Sequence, residues 1–313
     1  MKVYIACPAY AVSGGAELLH QLSASLSERN IENYMVYFGV ENGKNPTPER
    51  YQKYHIRTVS AYVDNSDSVY VLPEVGVHEV DKCILGKAAI WWLSVNNYVM
   101  CYKSRFKTTF DIFGVASKKN AYHFVQSQYA KDFLDNFFHV EQSYFLSDYI
   151  NQDILQYGEE HYRDVKENIC IYNPAKGLVN VEPLIAASRA GIRWIPLQGF
   201  TPLQMAEVMC QAKVYIDFGG HPGKDRIPRE AAACGCCVIT NREGSADNAV
   251  DVKISDCYKV ADVSNTQAVL DLVYQLMDHY EDKVSDFKLY RDYIYTEQKI
   301  FEEEVETFIT LLA

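Results

Sequence analysis

The chain has 313 residues, 48% hydrophobic and 23% charged, which is length enough for two domain cores and a composition outside the disordered and fibrous classes. Its net charge of -11 is uneven: residues 1 to 150 hold 14 Lys+Arg against 15 Asp+Glu, residues 151 to 313 hold 16 against 26. An acidic chain with no basic run beyond Lys118-Lys119 repels a phosphate backbone at long range, so nucleic acid is excluded as a partner.

The opening MKVYIACPAY carries one Lys and an apolar run too short for a secretory signal. It reads as a first buried strand, and a cytoplasmic location is expected. Strand-like and amphipathic runs then alternate through Val3 to Cys7, Ala16 to Arg29, Tyr34 to Val40 and Ser68 to Leu72. That alternation predicts an α/β fold with a parallel sheet and crossover helices. The uncharged stretch Ala88 to Tyr102 contains Asn96 and Asn97 and falls short of the roughly 20 residues a bilayer span needs. It predicts a packed core helix, with a peripheral contact of Trp91-Trp92 on the cytoplasmic membrane face as the alternative.

After the charged segment Gly158 to Lys166 the rhythm restarts, with strands predicted at Ile169 to Tyr172, Arg193 to Pro196, Val214 to Phe218 and Cys237 to Thr240. A second Rossmann-like domain therefore begins near residue 167. From Thr266 to Leu312 the pattern is helical, with Glu302-Glu303-Glu304 expected on a solvated face. In the last helix, read as Tyr290 to Leu312, Tyr293, Ile294, Ile300, Phe301, Val305, Phe308, Ile309 and Leu312 recur at three- and four-residue steps, so one face is made to be buried. The expected organisation is 1–150, 151–289 and 290–313. Open parallel sheets bind ligands at the carboxyl ends of their strands, so two doubly wound domains facing a central cleft would hold a ligand there.

The nine cysteines are odd in number and sit mostly in apolar runs, as reduced core thiols do. Cys234-Gly-Cys-Cys lacks the paired spacing of a structural zinc site, so no zinc is expected, and Asp217 reads as a strand-end residue.

Two segments carry chemistry. Ser13-Gly14-Gly15-Ala16-Glu17 follows the first strand, and its glycines let the backbone approach a ligand at a helix start. A plain strand-to-helix turn capped by Ser13 is the competing reading, and the absence of GxGxxG leaves a dinucleotide fingerprint unsupported. The second is VYIDFGGHPGKDRIPREAAACGCCVIT at 214 to 240. A strand leads to Gly219-Gly220. A polar loop presents His221, Gly223, Lys224, Asp225 and Arg226, and Pro228 is placed to open a helix carrying Arg229 and Glu230. Cations beside glycines and a helix start suit a diphosphate, and Glu230 suits paired ribose hydroxyls. The alternative pairs Asp225 and Glu230 with Arg226 and Arg229 on a surface loop.

With GGAELLHQLSASL near the start, YNPAKG at 172 to 177, IPLQGFTPLQMAEVMCQAKVYIDFGG at 195 to 220 and REAAACGCCVIT at 229 to 240, the chain resembles the retaining nucleotide-sugar glycosyltransferases of GT-B fold, across both halves and in their order. The resemblance implies a hexosyl-type transfer from a nucleotide-sugar donor to a glycan or lipid-linked acceptor in surface polysaccharide synthesis. It implies no cofactor and no metal site, and a last helix crossing back onto the N-terminal domain. By likeness Gly14 and Gly15 border the donor phosphates, Lys176 meets the diphosphate, Gly199 and Phe200 flank the base and Glu230 binds the ribose. The sequence departs where the family's first glutamate is replaced by Pro222, and where the basic partner of the lysine is replaced by Asn173-Pro174. Lys224 or Arg226 is the expected substitute charge. An inverting reaction needs a general base on the acceptor side, for which Glu74 in VYVLPEVGVH, with His78 nearby, is the candidate. The other readings are an inactive nucleotide-sugar or glycan-binding subunit and a sugar-nucleotide epimerase.

Overall fold

The computed structural model describes residues 1–102 and 121–313. It divides into one unit of Met1–Asp148 with Lys299–Ala313 and a second of Tyr149–Gln298.

The first unit holds a seven-stranded sheet in the order β3-β2-β1-β4-β5-β6-β7. Its strands are β1 Lys2–Pro8, β2 Glu32–Phe38, β3 Thr58–Val59, β4 Ser68–Pro73, β5 Lys87–Trp92, β6 Ala121–Val125 and β7 Ser143–Phe145, all paired in parallel. The strand order reverses between β1 and β4, which is where an open α/β sheet takes its ligand. The predicted core helix at Ala88 to Tyr102 is corrected: Lys87–Trp92 is a central strand, and only Val95–Tyr102 is helical. A strand buried on both faces has no alternation, so a short apolar run does not betray its period. Trp91 and Trp92 are 0% and 1% exposed, so neither presents a surface to a membrane. Among the described residues no helix is long and apolar enough to cross one.

The second unit holds the order β12-β11-β10-β8-β9, built from β8 Glu167–Tyr172, β9 Arg193–Pro196, β10 Ala212–Asp217, β11 Cys237–Asn241 and β12 Lys259–Val260. These too are parallel, and the switch falls between β8 and β10. Cys170, Cys234, Cys236 and Cys237 lie in its core as free thiols.

The final helical stretch differs from the single element expected. Lys288–Ile294 and Glu297–Leu312 are separate helices, and Tyr290 and Ile294 belong to the core of the second unit. From Lys299 onward the contacts lie in the first unit. The Phe308 ring is 5.0 Å from Phe124, and Arg29 pairs with Glu302 at 2.7 Å and Glu306 at 2.5 Å. Glu304 accepts the Ser147 backbone N–H at 2.6 Å. Glu302 and Glu304 are therefore engaged, and of the predicted solvated triplet Glu303 alone stays exposed.

Candidate functional site

Three neighbouring strand ends in the second unit converge. After β8, Asn173 makes a local turn by accepting the Ala175 N–H at 3.0 Å, so its side chain shapes the loop. Gly177 follows at φ +67°, and a Cβ there would sit 2.3 Å from the Phe218 carbonyl oxygen. Only glycine fits that approach of the β8 and β10 loops. Lys176 projects beside it with a third of its side chain exposed, its ammonium 2.7 Å from Asp225 Oδ2. After β9, Gly199 at φ +78° turns the chain and leaves Phe200 exposed.

After β10 the loop differs from the expected presentation of mobile cations. Lys224 and Arg229 are 5% and 0% exposed, each 2.7 Å from a Glu297 carboxylate oxygen. Arg229 also donates to the Asp225 and Lys224 carbonyls, both at 3.1 Å. A buried cation without its partner carries a large desolvation cost, so these two are committed to Glu297. That corrects the expectation that they stand open and mobile on the loop, and the pairing of Arg229 with a surface carboxylate. Pro228 is the third residue of the helix Arg226–Ala233, two positions later than expected and still without cost, because the first N–H groups of a helix have no internal partner. Arg226 begins that helix partly buried, and Glu230 is buried on it.

His221, expected to stand open on the loop, is 1% exposed. Its Nδ1 lies 3.0 Å from Asp225 Oδ2 and its Nε2 3.7 Å from Asp217 Oδ1. Burial works against the charge of both partners. The hydrogen bond between them and the neighbouring charges outweigh it, holding His221 above the usual imidazole range and Asp225 below the usual carboxylate range. Gly223 is buried, its carbonyl accepting the Ser245 hydroxyl at 2.5 Å. Asp217, His221 and Asp225 offer donor atoms within 4.8 Å of one another, a grouping the sequence reading did not assemble. Its signal was present in the spacing of four residues between successive members.

In the first unit Ser13 caps the helix Gly14–Glu28 by accepting the Ala16 N–H. Gly14 is exposed, and a Cβ on Gly15 would touch Leu93 Cδ1 at 3.4 Å. Leu93 in turn donates its N–H to Glu74 Oε2 at 3.1 Å. Gly14, Gly15 and Glu74 thus gather at the β1/β4 switch. Burial pushes the Glu74 carboxyl up to about 7 against the opposing pull of backbone N–H donors. His78 lies on the 3-10 turn after β4 with Nδ1 3.0 Å from the Tyr102 hydroxyl, about half exposed and near Glu79.

No family model and no curated protein sequence matches the chain. Solved structures do. Anabaena HepE in complex with UDP-glucose is similar over 99% of this chain and 100% of its own, with TM-score 0.69 and 10% identity. This chain has the GT-B glycosyltransferase fold. Sucrose-phosphate synthase from Thermosynechococcus elongatus is similar over 100% and 99% with TM-score 0.69 and 10% identity. WaaG, a glycosyltransferase involved in lipopolysaccharide biosynthesis, is similar over 99% of both chains with TM-score 0.59 and 11% identity. At such identities the likeness speaks for the GT-B fold, and function has to be argued from the site.

Proposed function

We propose that the protein is a glycosyltransferase that moves a sugar from a nucleoside-diphosphate sugar to a hydroxyl of a glycan or lipid-linked acceptor, as in surface polysaccharide or glycolipid synthesis. The observation that carries this reading is the part-exposed Lys176 ammonium at the β8/β10 switch, with the exposed Phe200 ring at the end of the adjoining strand. A diphosphate placed there meets a cation and the start of the helix Arg226–Ala233, while a base stacks on the ring. The neighbours include a protein bound to UDP-glucose and the same protein bound to UDP, which supports a nucleotide-sugar donor. Neither Lys224 nor Arg229 enters this reading, and no metal is assigned a role in it. Glu74, with its carboxyl raised to about 7, is the group in the first unit whose proton affinity suits taking the acceptor hydroxyl proton.

The test is thermal shift with UDP and a panel of nucleotide sugars, followed by donor turnover with and without acceptor. A ligand at 100 times its dissociation constant adds about 2.7 kcal/mol. Transfer only in the presence of acceptor supports the proposal. Binding without turnover points to the inactive subunit that Pro222 suggests, and free sugar released without acceptor points to an epimerase.

A further inference from the structure

We infer that His221 is a positioning residue: its imidazolium, seated between Asp217 and Asp225, sets how tightly Asp225 holds Lys176 and so makes diphosphate binding pH-dependent. This rests on the reading of Lys176 as the diphosphate contact.

One carboxylate oxygen serves two cations. Asp225 Oδ2 lies 2.7 Å from Lys176 Nζ and 3.0 Å from His221 Nδ1. The imidazole is buried and the backbone that carries it is pinned. The His221 carbonyl accepts the Ser245 N–H at 2.9 Å, and Gly244, at φ +58°, presses so close that a Cβ would lie 2.0 Å from that carbonyl. The second ring nitrogen, buried and without a hydrogen-bond partner, faces Asp217. The oxygens of Asp217 accept the Tyr215 hydroxyl at 2.6 Å and the Gly219 N–H at 3.2 Å. The charged groups facing the ring are thus Asp217 from β10, Asp225 from the helix start and Lys176 from the β8 loop. Glu243, on the turn after β11, places Oε2 3.9 Å from where a Cβ on Gly220 would stand.

With His221 protonated, two carboxylates face one imidazolium and one ammonium, and the group is neutral. Asp225 then shares its charge, and Lys176 turns to an incoming phosphate at small cost. With His221 neutral, Asp225 falls to Lys176 alone and competes with the phosphate for it. Binding is therefore strongest below the His221 pKa and weakens as pH rises through it. Burial opposes the imidazolium but the two aspartates prevail, which places the loss on the alkaline side of the ordinary imidazole range. A divalent cation on the same three residues is the rival occupant. The engaged Asp217 oxygens, and the Lys176 ammonium already on Asp225, favour the proton.

The experiment titrates UDP by calorimetry into the full chain, His221→Gln and Lys176→Ala, from pH 7 to 9. Above pH 7 the terminal phosphate, with a second pKa of about 6, is essentially fully ionised. The wild type is expected to lose roughly tenfold in affinity over that range as one charge-assisted contact weakens, and His221→Gln to show a flat profile. Side-chain nitrogen NMR of the wild type is expected to find His221 doubly protonated at pH 7, a readout that needs no variant to fold. A neutral His221 at pH 7, an unaltered pH profile in His221→Gln, or a stoichiometric divalent ion lost on Asp217→Asn overturns the inference. Unchanged UDP affinity in Lys176→Ala at pH 7 overturns instead the reading on which it rests.

Discussion

Two charged clusters of the second unit share the loop after β10 and are employed in opposite ways. Lys224, Arg229 and Glu297 are 5%, 0% and 1% exposed, and their ion pairs stitch the loop to the start of the last helix. Lys176 and Asp225 meet at 2.7 Å with 34% and 20% of their side chains exposed. A cation sealed beneath the surface can only hold structure, whereas one at the rim can exchange its carboxylate for a ligand. Burial, and not residue type, separates the two.

The largest effect is expected at Glu297. Replacing it by Gln strands Lys224 and Arg229 without their carboxylate, and unfolding free energy is expected to fall by about 3 to 5 kcal/mol in denaturant titrations. A loss below about 1 kcal/mol, as for an exposed pair, would return Lys224 and Arg229 to the ligand.

Glu74 offers a further contrast, a buried carboxyl with no cation beside it among the described residues. Its folded pKa, about 7, lies above the ordinary 4.5, so the folded state keeps a proton that the unfolded chain loses between those values. Stability is then greatest on the acid side and falls as pH rises through that window. Relative to Glu74→Gln, the wild type is expected to lose on the order of 3 kcal/mol from pH 4 to 8, measured by unfolding at several pH values. A constant difference between the two would show that burial leaves the Glu74 pKa unshifted.

Lys176→Ala is expected to leave stability within about 1 kcal/mol, because its pair is partly exposed. UDP affinity should fall by about 1.5 to 3 kcal/mol for a lost charge-assisted contact. The smallest effect belongs to Phe200→Ala. Melting should barely move, since the ring is exposed, while UDP binding weakens by about 1 kcal/mol through lost stacking on the base. Equal UDP affinity with and without the ring would remove Phe200 from the site.

By itself the sequence determined the α/β class and the placing of Gly14, Lys176, Gly199 and His221 at strand ends. Those follow from local signals: alternation of apolar runs, and glycines where backbone must turn or approach, as Gly177 does against Phe218. It also led to the neighbourhood of Glu74, though not to its burial. Tertiary structure decided which charges are buried in ion pairs and which stay at the surface. Arg229 is committed to Glu297, 68 residues along the chain, and no periodicity or spacing announces a partner so distant. Nor could the sequence tell that Trp91-Trp92 lie on a strand, since an element buried on both faces shows no hydrophobic period to read. The change from helix to turn at Tyr295-Thr296, which leaves Tyr290 and Ile294 in the second unit's core, was likewise hidden, because the apolar steps run on across the break.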